Sequence, residues 1–268
     1  SEVRWTSSGQ VNLASGHQLL YSGPSEEEGV HRNGVGLMLT KKASSSLMEW
    51  EPVNERILTA RFFSRFQKVS IVQCYAPTNA AEEETKDDFY QQLQAVLDRV
   101  PRRDIVIVMG DMNSKVGSDN VGREQTMGTE GLGTINENGE LFVDFWEMND
   151  LVIGGTIFPH RRINKVTWTS PDLITENQID HIAISSRWRR TLHDVRACRG
   201  ADVGSDHTLL VSKLQVKIAR NRNTGLQRHP RFDTTKLKRE DRKKEFATTL
   251  KNRFQALADL EDGTLAKK

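Results

Sequence analysis

The stretch Asp104–Gly117, Asp-Ile-Val-Ile-Val-Met-Gly-Asp-Met-Asn-Ser-Lys-Val-Gly, constrains this chain more than any other. Ile105 to Met109 is an apolar, mostly β-branched run bounded by turn formers. It reads as a strand buried on both faces of a sheet. Gly110 breaks the run, and Asp111 and Asn113 follow two positions apart. In extended geometry residues i and i+2 share a face, so a carboxylate and a carboxamide project together from the rim of a buried sheet. A tight turn is the competing reading, because Gly, Asp and Asn all favour turns.

Around that strand the pattern is mixed. Strands are expected at His17–Tyr21, Val35–Thr40, Arg56–Phe62 and Val69–Tyr75, the last two as an antiparallel hairpin. Asn79 with Glu82 resembles a capping box. Phe89, Leu93, Val96, Leu97 and Val100 then recur at helical spacing until Pro101 stops the helix. Residues Ser114 to Gly139 form a long Gly- and Asn-rich loop. A second helix carries Leu141, Phe145 and Met148, and a short strand covers Leu151–Gly155. Further strands are expected at Lys165–Thr169, Ile179–Ile184 and His207–Ile218, with a short helix over Ser186–His193. Strands mostly in hairpins with few helices predict an α+β layered domain.

Composition excludes some classes. The chain has 268 residues, 36% apolar and 28% charged, which suits a globular protein. No apolar run approaches the ~20 residues of a membrane span. Ser1-Glu2-Val3-Arg4-Trp5 has no apolar h-region, so secretion is not expected. Cys74 and Cys198 lack metal-ligand spacing and stand either as one disulfide or as two free thiols in a reducing compartment. The formal charge of +2 hides an asymmetry: residues 217–268 hold 15 Lys/Arg and 7 Asp/Glu, leaving 23 and 29 for the rest. An acidic body thus carries a basic tail, either a phosphate-binding element or a solvated helix face. Residues 219–231 read as a linker and 232–268 as a basic amphipathic helical tail.

Two more polar clusters flank strands: Gln178-Ile179-Asp180-His181 and Gly204-Ser205-Asp206-His207. No phosphate loop, zinc pattern or nucleophile elbow is present. Several carboxylates, an amide and an imidazole without thiolates suit a hard divalent ion, Mg²⁺ or Mn²⁺. Such an ion neutralises a phosphate oxygen, a carboxylate takes a proton from water, and a histidine donates to the phosphoryl oxygen. The residues alone favour metal-assisted phosphodiester hydrolysis.

Taken in order, Ser1-Glu2, Tyr75-Ala76-Pro77, Gly110-Asp111-Met112-Asn113, Thr167-Trp168, Ile179-Asp180-His181 and Ser205-Asp206-His207 resemble the endonuclease/exonuclease/phosphatase superfamily. They look closest to the apurinic-type endonuclease domain of non-LTR retrotransposons, over residues 1–218. The resemblance implies a four-layered α/β sandwich of two packed mixed sheets flanked by helices. It implies a Mg²⁺-dependent DNA endonuclease, with Glu2 and Asp206 at the metal. By the same resemblance Asp111 would position or deprotonate the water, and Asn113 would hold Asp111 or the scissile phosphate. Tyr75 bonds the phosphate, His207 stabilises the phosphorane and Asp180 orients His207.

One departure bears on activity. Family members carry a strand before the Glu motif, and this chain starts at Ser1-Glu2. The expectation is a missing first strand and an unpaired neighbouring edge, either in a fragment or in a nuclease descendant of weakened activity. A reverse transcriptase is not expected within this chain, and a monomer is expected. The basic turn Pro159-His160-Arg161-Arg162-Ile163-Asn164-Lys165 offers Arg161, Arg162 and Lys165 to DNA backbone, or is an ordinary exposed hairpin. Arg242-Lys243-Lys244 suits nuclear import. The rival function is a catalytically inactive, DNA- or chromatin-associated interaction protein on the same scaffold. A third is a phosphoesterase acting on a small molecule or lipid headgroup.

Overall fold

The computed structural model describes residues 3–25, 33–65, 67–200, 204–215 and 243–244. Ser1–Ile218 forms one compact unit. Its centre is a six-stranded sheet ordered β4 (Leu47–Pro52), β5 (Ile57–Phe62), β6 (Val69–Tyr75), β7 (Ile105–Asp111), β11 (Asp180–Ser185) and β8 (Leu151–Ile153). β5 and β6 form the expected antiparallel hairpin, whereas β6 and β7 are parallel and joined through α2 (Glu83–Arg99). A parallel pair needs such a crossover, which places a helix on the sheet.

Strand alternation separates two cores. Ile57, Val72, Cys74, Val108 and Ala183 face Phe89 and Leu93 of α2 and Phe142, Phe145 and Trp146 of α3 (Glu137–Met148). On the other face, Leu58, Ala60 and Phe62 meet Leu20, Leu37 and Leu39 from a small antiparallel sheet, β1 (Ser8–Asn12), β2 (Gln18–Ser22) and β3 (Val35–Leu39). Farther along that face, Ile105, Ile182 and Ile184 meet Leu192 and Val195 of β12 (Leu192–Cys198), which pairs with β13 (Leu209–Leu214). β9 (Trp168–Thr169) and β10 (Glu176–Asn177) form a further two-residue ladder. The result is an α+β sandwich whose second layer consists of separate small sheets. Among the described strands, β3 pairs only with β2 and β13 only with β12. Also among the described residues, no helix is long and apolar enough to cross a membrane, and Cys74 and Cys198 are free thiols.

Several sequence expectations need correction. Asn79 does not cap α2: Glu82 holds that position, and Asn79 instead reaches the start of α3. The expected strand Lys165–Thr169 is only Trp168–Thr169, because residues 162–164 form a 3-10 turn. The helix expected over Ser186–His193 is a 3-10 turn that ends at Thr191, where β12 begins. β7 is not buried throughout, since Val106, Ile107 and Met109 stay partly exposed. β1, β4, β12 and the four-residue α1 (Lys41–Ser44) were not expected. β4 and β12 each carry a register shift, which breaks the period-2 alternation that marks a strand. Glu2, the linker and the basic tail lie outside the described residues, save for Lys243 and Lys244.

Candidate active site

The site is built on a row of register partners. Tyr75 of β6 pairs with Asp111 of β7, and Asp111 pairs with Asp180 of β11. Direct partners share a face, so the three side chains leave the sheet on the same side. Gly110 lets the strands close at this row. It has φ +142°, and a Cβ there would stand 1.9 Å from the Cys74 carbonyl oxygen.

The strand and turn readings of Asp111-Met112-Asn113 both hold in part. β7 runs through Asp111, and Asn113 then enters the left-handed region at φ +47°. The two side chains therefore do not project together as extended geometry predicted. The Asn113 backbone N–H donates to Asp111 Oδ1 at 3.0 Å, and its Nδ2 donates to the Ala76 carbonyl at 2.9 Å.

His207 arrives from the other layer. Its backbone bridges Trp168, with Thr208 N donating to Thr167 O and Thr169 N donating to Asp206 O. Thr167 also fixes Asp180: its buried Oγ1 accepts from both Ile179 N and Asp180 N at 3.0 Å. One threonine thus registers β11, which carries Asp180, against the bridge segment that carries His207. His207 Nδ1 lies 2.9 Å from Asp180 Oδ2, so Nδ1–H donates, and Nε2 lies 3.9 Å from Asp111 Oδ2. A ligand atom from each of Asp111, Asp180 and His207 falls within 4.8 Å of the others. Two carboxylates and an imidazole without a thiolate fit a hard or borderline divalent cation.

Electrostatics couple the three. Burial, then the Asp180 charge, pushes the Asp111 carboxyl up to about 7, although the Asn113 N–H and His207 oppose the rise. Burial opposes charge on His207, but the hydrogen bond to Asp180 and the charges of Asp180, Asp111 and Asp206 outweigh it and lift the imidazole to about 9. His181 differs: fully buried, it donates Nε2–H to Ser114 O at 2.8 Å, its Nδ1 has no partner, and burial pulls its pKa down. It is a neutral core histidine.

The other expected residues scatter more widely. Asp206 is exposed and accepts the Trp168 indole N–H at 2.8 Å, lining the same pocket of about 520 Å³ as Asp111, Asp180 and His207. Tyr75 is half-buried with the Arg56 guanidinium 5.4 Å above its ring. Arg162 pairs with Glu176 at 3.1 Å and Lys165 with Glu130 at 2.7 Å, while Arg161 is exposed. Sequence reading missed Arg4, which lines the pocket, and the carboxamides of Asn138, which bonds the Asn113 carbonyl, and Asn136, which bonds Lys115 N.

The architecture is that of an α+β sandwich, and the chain belongs to the Endonuclease/Exonuclease/phosphatase family, whose model matches residues 1–207. Among particular proteins, it is similar to craniofacial development protein 2 of Tragulus javanicus and of Bos taurus. Each is 37% identical over 220 residues, which is 81% of this chain. The chain spans little more than a third of those relatives, 37% and 36% of their lengths. The fold is also that of the 3′-5′ exonuclease NExo from Neisseria meningitidis, at TM-score 0.54, 16% identity and 75% and 81% coverage of the two chains. The endonuclease domain of TRAS1, a telomere-specific non-LTR retrotransposon, matches at TM-score 0.53 and 14% identity, covering 75% and 80%.

Proposed function

We propose that this chain is a metal-dependent DNA endonuclease of retrotransposon lineage that hydrolyses a phosphodiester bond. The observation that carries the reading is the convergence of Asp111, Asp180 and His207 in one pocket. Asp111 orients the attacking water and takes its proton, a task suited to a carboxyl lifted to about 7. His207, cationic below about 9, faces the phosphoryl oxygen and stabilises its developing charge. Asp180 holds the imidazole by its Nδ1–H and sustains that charge. Asn113 fixes the Asp111 carboxylate through its backbone, and Tyr75 hydrogen-bonds the phosphate from the neighbouring strand. The carboxylates of Asp111 and Asp180 would hold the divalent cation, with Glu2 and Asp206 as further ligands, while the protonated His207 has no lone pair to offer it. When bound, Mg²⁺ or Mn²⁺ supplies charge neutralisation at the phosphate. Arg161, Arg162 and Lys165 grip DNA backbone, and Arg242-Lys243-Lys244 directs the chain to the nucleus.

Nicking of supercoiled plasmid in Mg²⁺, in EDTA, and by Asp111→Ala tests this. Mg²⁺-dependent nicking that Asp111→Ala lacks is the expected result. Wild-type nicking no faster than the variant's overturns it, and salt-sensitive DNA binding surviving alone would favour the inactive interaction protein instead.

A further inference from the structure

We propose that Asn138 is a positioning residue that locks the loop after Tyr75 to the loop after Asp111 and thereby aims the Asp111 carboxylate. The proposal rests on the nuclease reading of Asp111. Asn138 is the second residue of α3 and only 4% exposed. Its Nδ2 donates to two carbonyls, Pro77 O and Asn113 O, each at 3.1 Å. Pro77 lies two residues beyond Tyr75, and Asn113 two beyond Asp111. One amino group therefore spans the ends of two adjacent parallel strands that both supply the site. Chemistry fixes the orientation of the amide, because a flip would press Oδ1 against both carbonyls.

The rest of the helix start is anchored to the same loops. Asn136 Oδ1 caps α3 by accepting from Gly139 N and also accepts from Lys115 N, both at 2.9 Å. Asn79 Oδ1 accepts from Asn136 Nδ2 at 3.0 Å and from Asn138 N at 3.1 Å. Ser114 Oγ lies 3.1 Å from Asn138 O as well as 2.7 Å from Met112 O. Glycine follows Asn138 because a Cβ at Gly139 would meet the Lys115 carbonyl at 2.0 Å. The helix start sits directly against the catalytic loop.

The geometry transmits in a definite order. Asn113 is held at φ +47°, a conformation Asn tolerates better than most residues. In that turn its N–H donates to Asp111 Oδ1, leaving Oδ2 toward His207. Asn138 grips the Asn113 carbonyl and so holds the turn. Because Asn138 is buried and does not line the pocket, it acts through Asn113 rather than on substrate.

The test uses the full chain with Asn138→Ala and Asn138→Asp, and with Asn149→Ala, which breaks a hydrogen bond to Gln94 at the opposite end of α3, as the control. Amide exchange of Asn113, compared with Leu93 in the core, reads the turn directly. Nicking at saturating and limiting DNA separates kcat from KM. Both Asn138 variants should speed Asn113 exchange by about tenfold or more, leave Leu93 unchanged, and lower kcat about 10–100-fold with KM within about threefold. Asn149→Ala should leave Asn113 exchange and kcat within about threefold of wild type. If Asn138→Ala does not fold, Asn138→Ser retains one donor and should give an intermediate kcat. Unchanged Asn113 exchange in either variant, or unchanged kcat per folded molecule, overturns the proposal. A wild-type chain that does not nick defeats the nuclease reading, while the exchange arm still decides whether Asn138 holds the turn.

Discussion

Asp111 and Asp180 stand directly opposite each other in the ladder between β7 and β11, two carboxylates on one face of the sheet. Like charges so placed destabilise a sheet. Asp111 is also buried, which adds a desolvation cost. The pair therefore trades stability for a site. Asp111→Asn keeps an oxygen for the Asn113 N–H and removes the charge. It should stabilise the fold in EDTA at pH 8 by on the order of 1 kcal/mol or more and abolish nicking. Urea titrations at pH 8 and pH 5 check this, with the smaller gain expected at pH 5, where Asp111 is already protonated in the native state.

Stability should fall as pH rises. Asp111 is raised from 3.8 to about 7 and His207 from 6.5 to about 9, so the native state binds more protons than the unfolded chain across both intervals. The His207 contribution is fully present below 6.5 and is lost as pH climbs through about 9. His207→Gln should flatten the urea midpoint over that upper window in EDTA. A wild-type midpoint that rises there contradicts the assignment.

Divalent cations should offset the carboxylate repulsion. Millimolar Mg²⁺ or Mn²⁺ binds the native cluster and not the unfolded chain, raising the thermal midpoint by about 2–4 °C at pH 8. In Asp180→Asn the rise should shrink to near zero. Scanning calorimetry with and without EDTA measures it, independently of any substrate.

Gly110→Ala should be among the most damaging single changes in the chain. The new methyl would lie 1.9 Å from a backbone oxygen at a residue with positive φ. β6 and β7 would have to separate beside Asp111, costing about 3 kcal/mol or more. The expected readout is insoluble protein or a strongly lowered urea midpoint.

The basic turn should not act uniformly. Arg162 and Lys165 are engaged by Glu176 and Glu130, and Arg161 projects into solvent. Arg161→Glu should weaken DNA binding about 3–10-fold and reduce the salt slope by about one, and Arg162→Ala should do less. Anisotropy titrations across salt concentrations distinguish the two.

What was legible in the sequence follows the physics of each element. β5, β6, β7 and β11 announce themselves because apolar, β-branched runs persist through them. Asp111 and Asp180 stand out as candidates because each sits at an end of such a run, and His207 because it shortly precedes β13. β1 was not, since its five residues, Ser-Gly-Gln-Val-Asn, carry almost no apolar pattern and little burial. β12 hid because the irregularity between Leu192 and Asp194 shifts its phase. The Asn79–Asn136–Asn138 contacts were invisible for another reason. They are tertiary hydrogen bonds spanning 57 to 59 residues, and asparagine in a loop looks the same whether exposed or buried.

The register that aligns Tyr75, Asp111 and Asp180 also sets which insertions and deletions the site can survive. Side chains alternate across a strand, so losing one residue inside β7 would carry Asp111 through to the helical side, away from His207. Shortening the segment between Val116 and Ile135 by the same single residue leaves that alternation untouched. Length variants among descendants of this scaffold should therefore collect in that loop and spare the strand.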